Sequence, residues 1–247
     1  MAHALPPSPE RNRARCAIHS AYGVHECRSA TETRKELNTI SVPDTRKRHR
    51  VAIAHLRKVD PKLAAVIDRV GPCDYAPTRE GTHFEAILRS IVSQQLSVKA
   101  AATIHGRFRS LFAKDTPVPD LLIGMTDDAM RGAGLSRQKI GYMRDLAARI
   151  VAGTVPIDAL DGLSDDALIE ALVQVKGVGR WTAQMFLMFR LGRPDVLPDL
   201  DLGIQKGIMK AYRLRAMPKP AKVLQIGAKW APYRTVASWY LWRSLDQ

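Results

Sequence analysis

Residues 172–206, LVQVKGVGRWTAQMFLMFRLGRPDVLPDLDLGIQK, constrain the fold more than any other stretch. An apolar helical segment ends in the turn Lys176-Gly177-Val178-Gly179-Arg180, and a second helical segment begins at once. Glycines two apart let the backbone reverse sharply and approach another surface closely. The N–H groups of such a turn, lying at a helix N-terminus, suit a phosphate. Farther on, Asp199 and Asp201 lie in Leu197-Pro198-Asp199-Leu200-Asp201-Leu202-Gly203, ahead of residues 204–212, which read as another helix. An aspartate in that setting is ordinarily an N-cap. Capping and chemistry are compatible, because a carboxylate fixed at a helix start keeps its charge and can stabilise a developing cation.

The rest of the chain carries the same helical signature. Leu63, Val66, Ile67 and Val70 follow an i, i+3, i+4, i+7 stripe that Gly71-Pro72 stops. Thr82-His83-Phe84-Glu85 has the form of a capping box, with Phe84, Ile87, Leu88, Ile91 and Val92 on one face behind it. The polar run Ser93-Gln94-Gln95-Leu96-Ser97 then interrupts the stripe, which resumes over residues 98–112. Such an interruption between helices marks a working loop. Thr126-Asp127-Asp128-Ala129 and Ser164-Asp165-Asp166-Ala167 each pair a hydroxyl N-cap with two acids in the positive first turn. Each opens a short helix followed by a turn and another helix, which suggests two related hairpins. Period-2 alternation persists nowhere, so the expected fold class is all-α.

Before residue 51 no period emerges. Pro6-Pro7-Ser8-Pro9, scattered arginines and the cluster Arg46-Lys47-Arg48-His49-Arg50 read as a disordered basic N-terminal extension, residues 1–50, ahead of one domain, residues 51–247. The hairpin is placed at about residues 167–190. Lysines and arginines number 38 against 24 acidic residues, a net charge of +14. The first fifty residues hold ten basic and five acidic groups and the remainder 28 and 19, so the excess is not a tail alone. This balance favours nucleic acid or an anionic membrane surface as partner. Cys16, Cys27 and Cys73 lack metal-ligand spacing, which argues against a disulfide framework, a zinc site or an iron–sulfur cluster. No apolar run approaches the ~20 residues that cross a bilayer. A cytoplasmic or nuclear setting, no membrane partner and a monomeric state are expected.

Gly177-Val178-Gly179-Arg180-Trp181-Thr182-Ala183 and Leu197-Pro198-Asp199-Leu200-Asp201, together with residues 84–101 and Trp230-Ala231-Pro232-Tyr233-Arg234-Thr235, resemble the helix-hairpin-helix (HhH-GPD) DNA glycosylases, and within them the 3-methyladenine DNA glycosylase II branch. The resemblance spans nearly everything after residue 51. It implies a two-lobed helical fold with the active-site cleft between the lobes, acting on damaged double-stranded DNA in base excision repair. The family's catalytic aspartate maps to Asp201, with Asp199 its competitor. Its bifunctional members carry a nucleophilic lysine two residues after the second hairpin glycine. Here that residue is Trp181, which implies hydrolysis of the glycosidic bond without strand cleavage.

The resemblance also assigns the remaining roles. Gln95 holds the position that fills the gap left by a flipped base, with apolar Leu96 beside it; Gln94 and Gln95 also read simply as helix-terminus residues. The base pocket is assigned to Trp181, Met185 and Trp242, where a cationic base gains about 0.5 to 2 kcal/mol of cation–π attraction. Packing of Trp230, Trp239 and Trp242 in the core competes with that assignment, and family members often place an aromatic residue where Met185 stands. Backbone binding falls to the amides of Gly177, Val178 and Gly179, helped by Lys176 and Arg180, with the other hairpin, Leu135-Ser136-Arg137-Gln138-Lys139, as a second clamp acting through Ser136 and Arg137. No catalytic cofactor is expected. Carbonyls of Val173, Val175 and Val178 are expected to hold a structural Na+ or K+, as the family's hairpin does. A same-fold glycosylase for deaminated or oxidised bases, and a non-catalytic DNA-binding protein with Asp201 as a mere cap, remain as alternatives.

Overall fold

The computed structural model describes residues 42–246. Contacts divide the chain into a unit from Met1 to Thr45, of which only residues 42–45 are described, and a unit from Arg46 to the C-terminus that carries everything below. The described residues form helices joined by turns and loops, with no strand among them. In chain order the α-helices are α1 (Val42–Val59), α2 (Pro61–Val70), α3 (His83–Ser93), α4 (Val98–Arg109), α5 (Pro119–Gly124), α6 (Asp127–Gly132), α7 (Arg137–Val151), α8 (Asp165–Val173), α9 (Arg180–Phe186), α10 (Leu202–Tyr212), α11 (Pro220–Gly227) and α12 (Arg234–Arg243).

The predicted start signals are realised in side-chain geometry. Thr82 and Glu85 form the reciprocal capping box of α3, the Thr82 N–H donating to Glu85 Oε2 at 2.8 Å and the Glu85 N–H to Thr82 Oγ1 at 3.1 Å. Thr126 caps α6 and Ser164 caps α8, accepting from Ala129 N and Ala167 N at 3.3 and 3.2 Å. The acids behind them, Asp127, Asp128, Asp165 and Asp166, stand in the positive first turns. After Phe186 the helical path widens into one π turn, Leu187–Leu191, and Gly192 closes it at φ +69°.

The buried side chains fall into two clusters. One gathers Phe84, Leu88 and Ile91 of α3, Phe108 of α4, Met143 of α7, Leu168 of α8 and Ala183 of α9. The other joins Leu56 of α1 and Leu63 of α2 to Ile204 and Ile208 of α10 and Tyr240 and Leu241 of α12. The ends of the unit therefore pair with each other while its middle forms a separate core. Trp242 packs against both clusters. Buried Asp60 ties the second cluster together. It caps α2 through the N–H groups of Lys62 and Leu63, and accepts from Trp230 Nε1 at 2.7 Å and from the Tyr212 hydroxyl.

One boundary differs from the sequence-based expectation. The extension was expected to lack structure up to residue 50, yet α1 begins at Val42 and contains the cluster Arg46 to Arg50. The reason lies in a stripe that the basic residues hide: His49, Ala52 and Leu56 recur at i, i+3, i+7 and are buried. His49 Nδ1 lies 3.3 Å from the Cys73 carbonyl. Residues 1–41 lie outside the described residues, and with them the rest of that expectation.

Candidate active site and DNA-facing hairpins

The organising turn joins α8 to α9. Val175 N donates to Leu172 O at 3.1 Å and Val178 N to Val175 O at 3.0 Å, and both valine side chains are buried, so the turn is pinned from below. Gly177 sits at φ +78°, and a Cβ there would overlap the Tyr142 ring, so only glycine fits. Asp145 of α7 holds the turn from the side. Its Oδ2 accepts from Lys176 N and from Arg149 Nε, both at 2.9 Å. Burial would raise the Asp145 carboxyl, but these donors outweigh it and hold it below the ordinary carboxylate value.

Phosphate binding by three consecutive amides, as expected from sequence, does not fit this geometry. The Val178 N–H is engaged inside the turn, whereas the N–H groups of Gly177 and Gly179 meet no acceptor among the described residues. Gly179 is the N-cap of α9 and offers no side-chain cap, which leaves the first turn of that helix open. Lys176 is largely exposed. Arg180 is half exposed and lies 3.3 Å from Asp199 Oδ1. On the other hairpin, Ser136 caps α7 by accepting from Lys139 N at 3.3 Å, with Arg137 exposed beside it.

The two candidate aspartates separate by environment. Asp199 is buried, at 3% exposure, with Arg180 as its charge partner, and its carbonyl accepts from Gln205 Nε2 at 3.0 Å. Its carboxylate is thus withdrawn from solvent. Asp201 is the N-cap of α10, its Oδ1 accepting from Ile204 N at 2.8 Å. The same carboxylate receives two indoles: Trp242 Nε1 donates to Oδ1 at 2.8 Å and Trp181 Nε1 to Oδ2 at 2.7 Å. Three N–H donors thus fix one partly exposed carboxylate in one orientation, with two aromatic faces beside it.

Of the C-terminal tryptophans, Trp230 is fully buried on Asp60 and Trp239 packs edge-on to Tyr240, so Trp242 alone reaches the carboxylate. Trp181 is 43% exposed. Met185, one turn along α9, is partly buried, and Phe189 one turn beyond it stacks near Trp242 with ring centroids 5.9 Å apart. Met185 and Phe189 also border a cavity of about 550 Å³ lined further by Glu85, His105, Thr182 and Arg109. Phe189 escaped the sequence reading although its i+4 spacing from Met185 was a usable signal. Gly203 was read only as a neighbour of the aspartate. A Cβ there would lie 2.7 Å from Trp242 Cδ1, 2.9 Å from its Nε1 and 3.0 Å from Asp201 Oδ1, so this glycine makes the approach of Trp242 possible.

The polar interruption after α3 lies beside the hairpin. Gln94 terminates α3, and its Nε2 donates to the Gly177 carbonyl at 2.8 Å. Gln95 is exposed in the left-handed region at φ +58°, and Leu96 is 38% exposed, so both candidate wedge residues stand free of the core.

A carboxylate framed by indoles, next to an uncapped glycine turn and an exposed loop, defines a helix-hairpin-helix site. The HhH-GPD superfamily of base excision DNA repair proteins matches residues 88–233, and the chain belongs to that family. Among its relatives, DNA-3-methyladenine glycosylase 1 of Schizosaccharomyces pombe is 37% identical over 195 residues, covering 77% of this chain and 85% of that protein. The structure of the S. pombe 3-methyladenine DNA glycosylase in complex with abasic DNA superposes with a TM-score of 0.70 at 36% identity, covering 79% of this chain and 97% of that one. A DNA-3-methyladenine glycosidase from Bacillus halodurans gives a TM-score of 0.68 at 38% identity, covering 76% and 85%.

Proposed function

We propose that the protein is a monofunctional DNA glycosylase that flips alkylated purines of the 3-methyladenine and 7-methylguanine type out of double-stranded DNA and hydrolyses their N-glycosidic bond, leaving an abasic site. The observation that carries this reading is the Asp201 carboxylate, held by Ile204 N, Trp242 Nε1 and Trp181 Nε1 beside two indole faces.

N-alkylation at the purine N3 or N7 puts positive charge on the base, so the leaving group needs little protonation. The remaining barrier is the oxocarbenium-like sugar. A fixed carboxylate near its C1′ stabilises that cation and positions the attacking water. Sugar hydrolysis with a poor leaving group generally takes two carboxylates; the burial of Asp199 beside Arg180 supports assigning this work to Asp201. Trp181, Trp242 and Phe189 offer aromatic faces to a cationic base, and Met185 leaves room where an additional ring would narrow the site. Position 181 bears an indole and not an amine, so no Schiff base with the sugar arises there.

Extruding the nucleotide costs a few kcal/mol, and Gln95 or Leu96 fills the gap it leaves. The Gly177 and Gly179 amides and the open start of α9 grip the DNA backbone without reading sequence, helped by Lys176, Ser136 and Arg137. The carbonyls of Val173 and Val178 accept no hydrogen bond among the described residues and that of Val175 accepts one, an oxygen-only set that fits a hard Na+ or K+ able to brace the turn. The enzyme acts as a monomer.

Incubation with methylated duplex DNA tests the proposal. Free 3-methyladenine or 7-methylguanine should appear, with the strand intact until alkali is added. Release only from deaminated or oxidised DNA would transfer the activity to another lesion class. Cleavage without alkali would overturn the monofunctional reading.

A further inference from the structure

The loop carrying Gln95 and Leu96 is attached to both DNA-facing hairpins by side chains that the reaction does not use. From the first turn of α7, Lys139 reaches 47 residues back in sequence, its Nζ donating to Val92 O at 2.6 Å and to Gln94 O at 2.8 Å. These are carbonyls at the C-terminal end of α3, where partners within the helix run out and the dipole favours a cation. From the other side, Gln94 Nε2 donates to the carbonyl of Gly177 at 2.8 Å. The next residue, Gln95, is held at φ +58°, a conformation that a non-glycine residue keeps only when its surroundings enforce it. Both attachments close on the residue immediately before that strained position. Lys139 is half-buried, and removal from water lowers the pKa of its ammonium, as expected for a charge committed to carbonyls and not to solvent.

We propose that Lys139 and Gln94 are positioning residues that latch the wedge loop to the two hairpins, so that gripping the DNA backbone and filling the gap of an extruded base occur as one coupled event. The latch rests on the glycosylase reading above. Backbone contact alone fixes the register of the protein on the duplex. A wedge free to move relative to that register would fill the gap only part of the time. With Gln94 joined to the carbonyl of Gly177, displacement of the hairpin turn by a bound phosphate is passed to the wedge loop through one side-chain hydrogen bond, while the two bonds from Lys139 hold that loop to the other hairpin. Neither Lys139 nor Gln94 touches the reacting atoms, so their contribution belongs to extrusion and not to bond cleavage.

The test compares the full chain with Lys139→Met, which keeps the aliphatic stem and removes the donor, and with Gln94→Leu. Each is assayed on one methylated purine in two settings: fully paired duplex, and the same lesion in an unpaired bubble where little extrusion is needed. Lys139→Met is expected to lower single-turnover excision from the duplex about 10- to 100-fold, the range that loss of a charge-assisted hydrogen bond supports, and to change excision from the bubble less than about threefold. Gln94→Leu should show the same asymmetry at smaller size, and Lys139→Arg should restore part of the loss. Fluorescence of 2-aminopurine beside the lesion should show reduced extrusion at saturating protein. Equal losses on both substrates would mean general damage to the fold and overturn the latch. A salt-dependence slope of DNA binding lower by about one in Lys139→Met would make Lys139 a phosphate contact and likewise overturn it. No release by the unaltered protein from either substrate would instead sink the glycosylase reading.

Discussion

Gly203→Ala is a one-carbon perturbation aimed at the Asp201 carboxylate, to which we assign the chemistry. The added Cβ would stand 2.7 Å from Trp242 Cδ1, 2.9 Å from Trp242 Nε1 and 3.0 Å from Asp201 Oδ1, so something has to move. Asp201 is pinned by Ile204 N at 2.8 Å and begins α10, whereas Trp242 is a partly buried side chain on another helix. The indole therefore yields, and its 2.8 Å bond to Asp201 Oδ1 is lost. A hydrogen bond to a charged group contributes about 1.5 to 3 kcal/mol. Felt fully in the transition state, that is a roughly 10- to 150-fold fall in the excision rate. Alanine is otherwise favoured over glycine inside a helix by up to about 1 kcal/mol, so the melting temperature should hold or shift little. Single-turnover excision of a methylated purine, with DNA affinity measured by fluorescence anisotropy, isolates the effect. The expected variant binds DNA normally and cleaves slowly. Because Trp242→Phe removes the same donor, the two changes combined should cost less than the sum of their separate effects. A fully active Gly203→Ala protein, or one whose loss lies in DNA affinity, would refute the reasoning.

Trp181→Phe keeps an aromatic face but removes the donor to Asp201 Oδ2; since the indole is 43% exposed, the expected loss in rate is a few-fold, smaller than for Gly203→Ala. Gly177→Ala should lower both the melting temperature and DNA affinity, because φ +78° and the Tyr142 ring each reject a side chain; unchanged anisotropy titrations would speak against the turn as a backbone grip. Asp60→Asn should destabilise the fold by on the order of 3 kcal/mol in urea titrations, since it removes a buried charge from Tyr212, Trp230 and Lys229. Burial acts to raise the Asp60 carboxyl, but its donors outweigh burial and hold it below its ordinary value of 3.8. The stability it contributes is therefore present above the unfolded-state pKa and lost as pH falls through the lower folded-state pKa. The acid limb of a stability–pH curve should flatten in Asp60→Asn, and an unchanged limb would remove Asp60 from that role.

Local rules were legible in the sequence where one short segment carries all the chemistry. The Thr82–Glu85 box, the Thr126 and Ser164 caps and the apolar face of α3 depend on neighbours within a turn or two, and the structure realises each of them. Asp201 read from its neighbours as an N-cap and from the family resemblance as a catalytic group, and it caps α10 with the carboxylate that also meets Trp181 and Trp242. What escaped depends on long-range packing. The buried stripe of α1 was masked by arginines and lysine on its other faces. Engagement of the Val178 amide inside the turn, and the pairing of Arg180 with Asp199, follow from how α8 and α9 close and leave no mark in the glycine spacing. Gly203 looks like a helix-weakening residue until Trp242, 39 positions away, is placed against it. Lys139 reads as part of the second clamp, and its bonds to the end of α3, 45 and 47 residues back, leave no mark in the local pattern.

Single-turnover base release by Asp201→Asn from methylated duplex DNA bears most directly on the account. The side chain keeps its size and its capping oxygen but loses the charge that faces the developing sugar cation. Excision of 3-methyladenine and 7-methylguanine should fall by on the order of 10²- to 10³-fold, with the affinity for duplex DNA unchanged. An Asp201→Asn protein that releases methylated bases at the unaltered rate would contradict the assignment of the chemistry to this carboxylate.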